Sequence, residues 1–287
     1  MSQVEQPYAD YLGRSHRVSE TIGPYPVRAM RALLDLPPLA SATGDTLPPL
    51  WHWLYFLEPA RQSQLGSDGH PGRGDFLPPV PLPRRMWAAG ELSFRQPLRI
   101  GHTLTRQSTI RRIEQKQGRS GVLTFVHVGH EYRNDYTLLM EEQQTLVFRA
   151  AQEAGALPPA VKEAPSGADF SRPFVADATL LFRYSALTFN AHRIHFDRDY
   201  ARDEEHYPDL VVHGPLLATK MIELLQEARP GLRLASFRFR ALTPVFAQRP
   251  MTIAGRALAD GQWHLWVADA DGGLCMDATA MEKGASA

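Results

Sequence analysis

Two stretches decide the fold: Tyr184–His195, Tyr-Ser-Ala-Leu-Thr-Phe-Asn-Ala-His-Arg-Ile-His, and Val211–Ala218, Val-Val-His-Gly-Pro-Leu-Leu-Ala. The first closes an apolar helical run, near Thr179 to Phe189, on two polar side chains, Asn190 and His195. The second opens a helix at Gly214-Pro215, since proline suits a first helical turn. Behind them the spacing predicts strands near Arg233 to Leu242, Met251 to Ala259, Gln262 to Ala268 and Leu274 to Ala280.

The preceding half follows the same order. Pro24 to Leu36 places Val27, Met30, Ala32, Leu33 and Leu36 at helical spacing before a double proline stops it. The aromatic stretch Pro48 to Phe56 opens a further buried helix, with Trp51 and Trp53 as core. Strands follow near Ala88 to Phe94 and Thr103 to Glu114. A Gly118 to Gly121 turn then leads into Val122 to Tyr132 and Thr145 to Phe148. Ser93 to Gly101 resembles Phe239 to Ala247, each an apolar strand, a proline, then another strand. A helix across a curved antiparallel sheet buries one face of each, and joining two such halves edge to edge protects both edges. An α+β internal pseudo-dimer is expected, with halves 1–155 and 174–287 and an Ala-, Pro- and Glu-rich linker at 156–173. Within the first half, residues 62–85 are dense in glycine and proline. Phe76, Leu77 and Val80 anchor them as an ordered lid.

Composition narrows the function classes. Lys plus Arg equals Asp plus Glu at 31 each, so no field draws nucleic acid or an anionic membrane. The one cysteine, Cys275, excludes an intramolecular disulfide and a cysteine-rich metal site. A polar, acidic start and the lack of any apolar run long enough to span a bilayer predict a cytoplasmic protein.

The two opening stretches resemble the site motifs of the MaoC-like hydratases, in which Asp-x-Asn-Pro-Leu-His is followed by Val-His-Gly-Met-Leu. Asn190 falls on the aspartate, His192 on the asparagine, Arg193 on the proline and His195 on the histidine. His213, Gly214 and Leu216 fall on the second motif. With Gly69-His70-Pro71 and Phe76 to Trp87, the chain is similar to the branch of mesaconyl-CoA and itaconyl-CoA hydratases and mitochondrial-type 3-hydroxyacyl-thioester dehydratases. That resemblance implies a double hotdog, two antiparallel sheets each wrapping a central helix. It also implies hydration of an α,β-unsaturated acyl-CoA, without a cofactor and with a second carboxylate on the acyl group.

The chemistry can be set against the residues. Hydration needs a base for water, a proton for the α-carbon and donors for the thioester oxygen. His195, an imidazole, can take and return the proton. Asn190 cannot exchange protons near neutrality, but its amide can orient water. The Gly214 N–H, at a helix start, can face an oxyanion. The first half has Leu-Asp-Leu-Pro-Pro where the second has the Asn190 region, so it shapes the substrate tunnel without catalysing. Arg84, Arg85, Arg238 and Arg240 are candidates for CoA phosphates. His70, Arg73, Arg84 and Arg85 of the lid are candidates for the acyl carboxylate, and His192 and His213 for substrate contacts.

Competing readings remain at this level. His192, His195 and Asp197 have metal-ligand residue types, but their spacing is generic and no metal is expected. His127 and His130 lie on opposite faces of a strand and carry no role. A straight-chain dehydratase, a thioesterase and a non-catalytic acyl-CoA binding protein are the alternatives, and a homodimer is an open assembly.

Overall fold

Alternation of apolar and polar residues makes strands here by burying every second side chain. The strand Gly121–Asn134 shows this from Thr124 to Tyr132. The computed structural model describes residues 7–38, 42–118, 121–151 and 161–284. They contain ten strands: β1 (Ser15–Thr21), β2 (Arg84–Phe94), β3 (Thr103–Gly118), β4 (Gly121–Asn134), β5 (Thr137–Arg149), β6 (Phe170–Phe174), β7 (Leu234–Ala241), β8 (Met251–Ala257), β9 (Gln262–Asp269) and β10 (Leu274–Glu282). The helices are α1 (Pro24–Leu33), α2 (Ala178–Leu187) and α3 (Gly214–Ala228).

All ten strands form one antiparallel sheet ordered β1-β3-β4-β5-β2-β7-β10-β9-β8-β6. Adding five to each label of the first half reproduces the order of the second read backwards, so the expected repeat is present in the topology. β2 and β7 join the halves, from Ala89 opposite Arg240 to Ser93 opposite Ser236. Gly90 is required at this seam, since a Cβ there would lie 2.3 Å from the Phe239 ring. A single apolar core runs through both halves, from Ile22 and Leu104 to Phe237, Leu265 and Ala280.

The helices repeat less evenly. α1 and α2 are equivalent, with counterparts 154 positions apart (24 to 178, 33 to 187), and they pack on each other. α3 is the central helix of the second half. It buries nine residues, from Leu216 to Leu225, against β6, β8 and β9. The first half has no matching long helix among the described residues. Where one was expected, a single 3-10 turn, Trp51–Leu54, supports the sheet instead. Its packing is partly polar: the buried Glu142 of β5 accepts bonds from His52, Trp53, Tyr132 and Gln144 at 2.9–3.1 Å.

The pattern also missed both sheet-edge strands. β1 is largely exposed, and β6 occupies the end of the expected linker. Residues 156–160 of that linker lie outside the described residues. Residues 162–164 run beside the β9–β10 turn, where Leu274 N donates to Lys162 O and Ala164 N to Gly272 O.

Candidate active site

α2 begins on Asp177, whose carboxylate accepts from Leu180 N, and ends in a left-handed residue, Phe189, at φ 49°. Asn190 N donates to Ser185 O and Phe189 N to Ala186 O, the paired bonds of a Schellman ending with phenylalanine in place of the usual glycine. A left-handed non-glycine residue costs free energy and is found where it re-aims the chain. Here it turns Asn190 into a cavity of about 570 Å³. α1 ends the same way, with Asp35 at φ 55° and Leu36 N on Arg31 O. Leu36 thus stands where the second half has Asn190.

The side chain of Asn190 accepts from His192 N through Oδ1, and among the described residues nothing engages its amide nitrogen. A 3-10 turn, Arg193–His195, then carries His195 to the cavity wall. His195 Nδ1 lies 2.7 Å from Val211 O, and a carbonyl only accepts, so Nδ1 carries the proton and Nε2 keeps its lone pair. His213 stacks on this ring with centroids 3.7 Å apart and planes 18° apart. It is held by Ser185 Oγ at 2.9 Å from its Nε2, while its Nδ1 is buried without a partner. Burial lowers the His195 pKa to about 4, with His70 adding to the effect against the Val211 carbonyl, and holds His213 well below the usual imidazole value. Both rings are neutral at pH 7.

Gly214 follows at the first position of α3. Its N–H takes no hydrogen bond among the described residues, and it lines the same cavity. Its backbone angles do not demand glycine, and a Cβ would meet only Met276 at 3.6 Å.

Residues of the 62–85 loop line the other side. Gly69 is left-handed, at φ 85°, and a Cβ there would fall 1.8 Å from Ala191 O, so the 62–85 loop and the turn after Asn190 touch backbone to backbone. Arg193 fastens them: its N–H donates to Asp68 O, its guanidinium to Ser67 O and to Asp197 at 2.7–2.9 Å. Gly69→Ala is expected to lift this contact. It should expose the lid to limited proteolysis and raise KM, whereas a protease pattern matching the wild type would show the contact to be dispensable.

His70 rests on His192 at 4.1 Å between centroids, and His192 lies edge-on to His195 at 5.5 Å. Four imidazoles therefore run from lid to core. Asp68 orients His70 by accepting its N–H and its Nδ1–H at 2.9 and 3.0 Å. Burial lowers the pKa of both His70 and His192.

The sequence candidates separate. His70, Arg85, Asn190, His192, His195, His213 and Gly214 all line the cavity. Arg73 does not: it is spent on the carbonyls of Val80, Leu82 and Pro83, holding the lid's own shape. Arg84 is also withdrawn, buried against Glu205 at 2.9 Å. Arg238 and Arg240 project from the exposed face of β7 opposite Phe237 and Phe239, Arg238 pairing with Glu91. Asp68, Gly69, Ser185 and Arg193 were missed, and only the Asp-x-His spacing of Asp68 and His70 hinted at one of them.

Asp197 is turned away, binding Arg193 and Tyr200 N, so it does not join His192 and His195. Asp68, His70 and His192 do place ligand atoms within 4.8 Å of one another. Both Asp68 oxygens are already engaged by His70, and Arg85 adds positive charge beside them, which disfavours a cation. His127 and His130 serve the first half: His127 bonds Glu114 and Thr145, and the buried His130 bonds Ser108.

Buried neutral histidines have a stability consequence. His130 and His195 both fall to about 4 in the fold, against about 6.5 unfolded. Between those values the unfolded chain binds more protons, so stability drops as pH falls. The loss is about 2 kcal/mol per residue at pH 5. The thermal midpoint is expected to fall clearly between pH 7.5 and 5, and an unchanged midpoint would contradict the neutral assignment.

Residues 50–247 match the family described as hydroxyacyl-thioester dehydratase type 2. Mesaconyl-C(4)-CoA hydratase of Chloroflexus aurantiacus is 45% identical over 272 residues, covering 94% of this chain and 95% of that one. The mitochondrial hydroxyacyl-thioester dehydratase type 2 of Schizosaccharomyces pombe is 32% identical over 245 residues, 75% of this chain and 81% of its own. Among solved structures, a MaoC-like dehydratase from Phytophthora capsici superposes with a TM-score of 0.69 at 14% identity, covering 95% and 96% of the two chains. A Mycobacterium tuberculosis protein described as having a double hotdog fold gives 0.58 at 15% identity, covering 98% and 100%.

Proposed function

The chain belongs to the hydroxyacyl-thioester dehydratase type 2 family, and from that premise we propose that it adds water reversibly across the double bond of an α,β-unsaturated acyl-CoA, of the branched dicarboxylic mesaconyl-CoA and itaconyl-CoA type. The observation that carries the reaction is the fixed tautomer of His195. With Nδ1 committed to Val211 O, the Nε2 lone pair is left to the cavity that Asn190 and Gly214 also line, the Gly214 N–H having no partner among the described residues.

In the hydration direction, water sits between the Asn190 amide and His195 Nε2. Its proton passes to Nε2 as its oxygen bonds the β-carbon, and the π electrons move onto the thioester oxygen as an enolate. The Gly214 N–H, at the positive end of α3, accepts that charge, a donor typically worth about 3 kcal/mol. His195, now an imidazolium in a site that disfavours its charge, returns the proton to the α-carbon and is neutral again. Asn190 supplies orientation where an aspartate would add charge. The first half contributes the lid and no second proton-transfer pair.

The 45% identical relative supports the dicarboxylic substrate, and the Schizosaccharomyces pombe relative supports straight-chain 3-hydroxyacyl thioesters as the second reading. Enoyl-thioester absorbance with itaconyl-, mesaconyl-, crotonyl- and longer enoyl-CoA separates them. Preference for the branched diacids is expected, and turnover of long straight chains alone would move the function to fatty-acyl dehydration. No described helix is long and apolar enough to cross a membrane. A homodimer of double hotdogs is compatible with this site, which one chain completes.

A further inference from the structure

The cations around the cavity are not equivalent. Arg73 and Arg193 are held by protein oxygens, and Arg84 is paired with Glu205 although its Nη1 is buried without a partner. Arg85 is the only arginine among the described cavity-lining residues, and no described residue gives it a hydrogen bond or a carboxylate within ion-pair distance. Arg85 is half-buried where it lines the cavity, and a guanidinium that keeps its charge there without a counter-ion favours an anion from outside. Burial and the neighbouring Arg73 pull its pKa down to about 10, in keeping with a cation that lacks a partner. Asp68, whose charge acts on Arg85, has both oxygens engaged by His70.

Position tells which anion. His70 and His192 feel the charge of Arg85, and the ring contacts of 4.1 and 5.5 Å lead from His70 through His192 to His195. The anion site is thus a short step from the proton-transfer centre. A carboxylate a few bonds from the reacting double bond reaches it, whereas the CoA phosphates are held off by the whole pantetheine arm.

We propose that Arg85, flanked by His70 and His192, is the receptor for a free carboxylate on the acyl group and selects dicarboxylic enoyl thioesters. This rests on the hydratase reading and gives it a specificity residue. A bidentate guanidinium–carboxylate pair in this cavity favours the diacid and leaves a monoacid facing an unpaired charge.

The test uses the full chain and its Arg85→Met and Arg85→Lys variants, each checked by circular dichroism. The ratio of kcat/KM for mesaconyl-CoA to that for crotonyl-CoA is expected to fall about 100-fold or more in Arg85→Met, with partial recovery in Arg85→Lys. An unchanged ratio overturns the proposal, and if the inhibition constant of free CoA rises as well, the arginine serves the CoA phosphates. A second readout does not need turnover. Free mesaconate is expected to raise the thermal midpoint of the wild type and not of Arg85→Met. If the wild type hydrates nothing yet shows that shift, the hydratase reading fails while the carboxylate site stands. If mesaconate shifts neither protein, the carboxylate site fails.

Discussion

Replacing His195 with alanine is expected to lower kcat for hydration by roughly 10³–10⁴-fold, the upper part of the range for a single acid–base group. The value is high because this ring takes the proton from water and returns it to carbon, and the neighbouring histidines are not placed to substitute. His192 and His213 are its neighbours, but His213 faces Ser185 and His192 stacks on His70. The pH profile gives an independent check. Burial holds His195 at about 4, so its basic form persists from pH 8 down to about 5. The kcat/KM of the wild type should stay level over that span and fall toward pH 4. A fall centred near 6.5, the ordinary imidazole value, would contradict the buried neutral assignment. Loss of less than about tenfold in His195→Ala would remove the residue from the mechanism.

Glu142→Ala is expected to destabilise the fold by about 3–5 kcal/mol, the cost of removing one member of a buried charged cluster. For a chain of this size that corresponds to roughly 6–15 °C in Tm. The carboxylate is fully enclosed and is the common acceptor for His52, Trp53, Tyr132 and Gln144. Its removal leaves the buried donors of His52 and Tyr132, and the half-buried ones of Trp53 and Gln144, around a hole. The bonds from His52 and Gln144 outweigh burial and keep its pKa well below the usual carboxylate range. Its contribution is therefore complete above the unfolded value near 4.3 and is lost as pH falls below it. Glu142→Gln, which keeps the shape and one acceptor, should lose less. An alanine variant that melts with the wild type would show that the 3-10 turn Trp51–Leu54 does not depend on this carboxylate.

The contrast between the halves explains what sequence could reveal. Regular periodicity made α2, α3 and the interior strands legible, because burial on one face leaves a repeating pattern. β1 and β6 escaped for the opposite reason: an edge strand pairs through its backbone and need not alternate. The missing first-half helix escaped because aromatic residues suit either a helix or a single supported turn, and the partner that His52 and Trp53 meet, Glu142, lies more than eighty residues away.

The site divides the same way. Asn190, His195 and Gly214 were readable because they lie on two short stretches whose helix end and helix start bring them together. Lid and catalytic turn are far apart in sequence, so no pattern could show that Gly69 touches Ala191 or that Arg193 clasps Ser67 and Asp68. Nor could charge alone rank the arginines. Arg73 and Arg84 look like Arg85 until their partners are known, and Arg238 and Arg240 face outward because Phe237 and Phe239 face inward.

Incubating the protein with mesaconyl-CoA in ¹⁸O-labelled water and weighing the products most directly tests the central claim that this site adds water to carbon with the thioester left intact. The account predicts an intact CoA thioester heavier by one labelled water, with the label on the acyl chain. Label in a free acid alongside released CoA, or no incorporation, would contradict it.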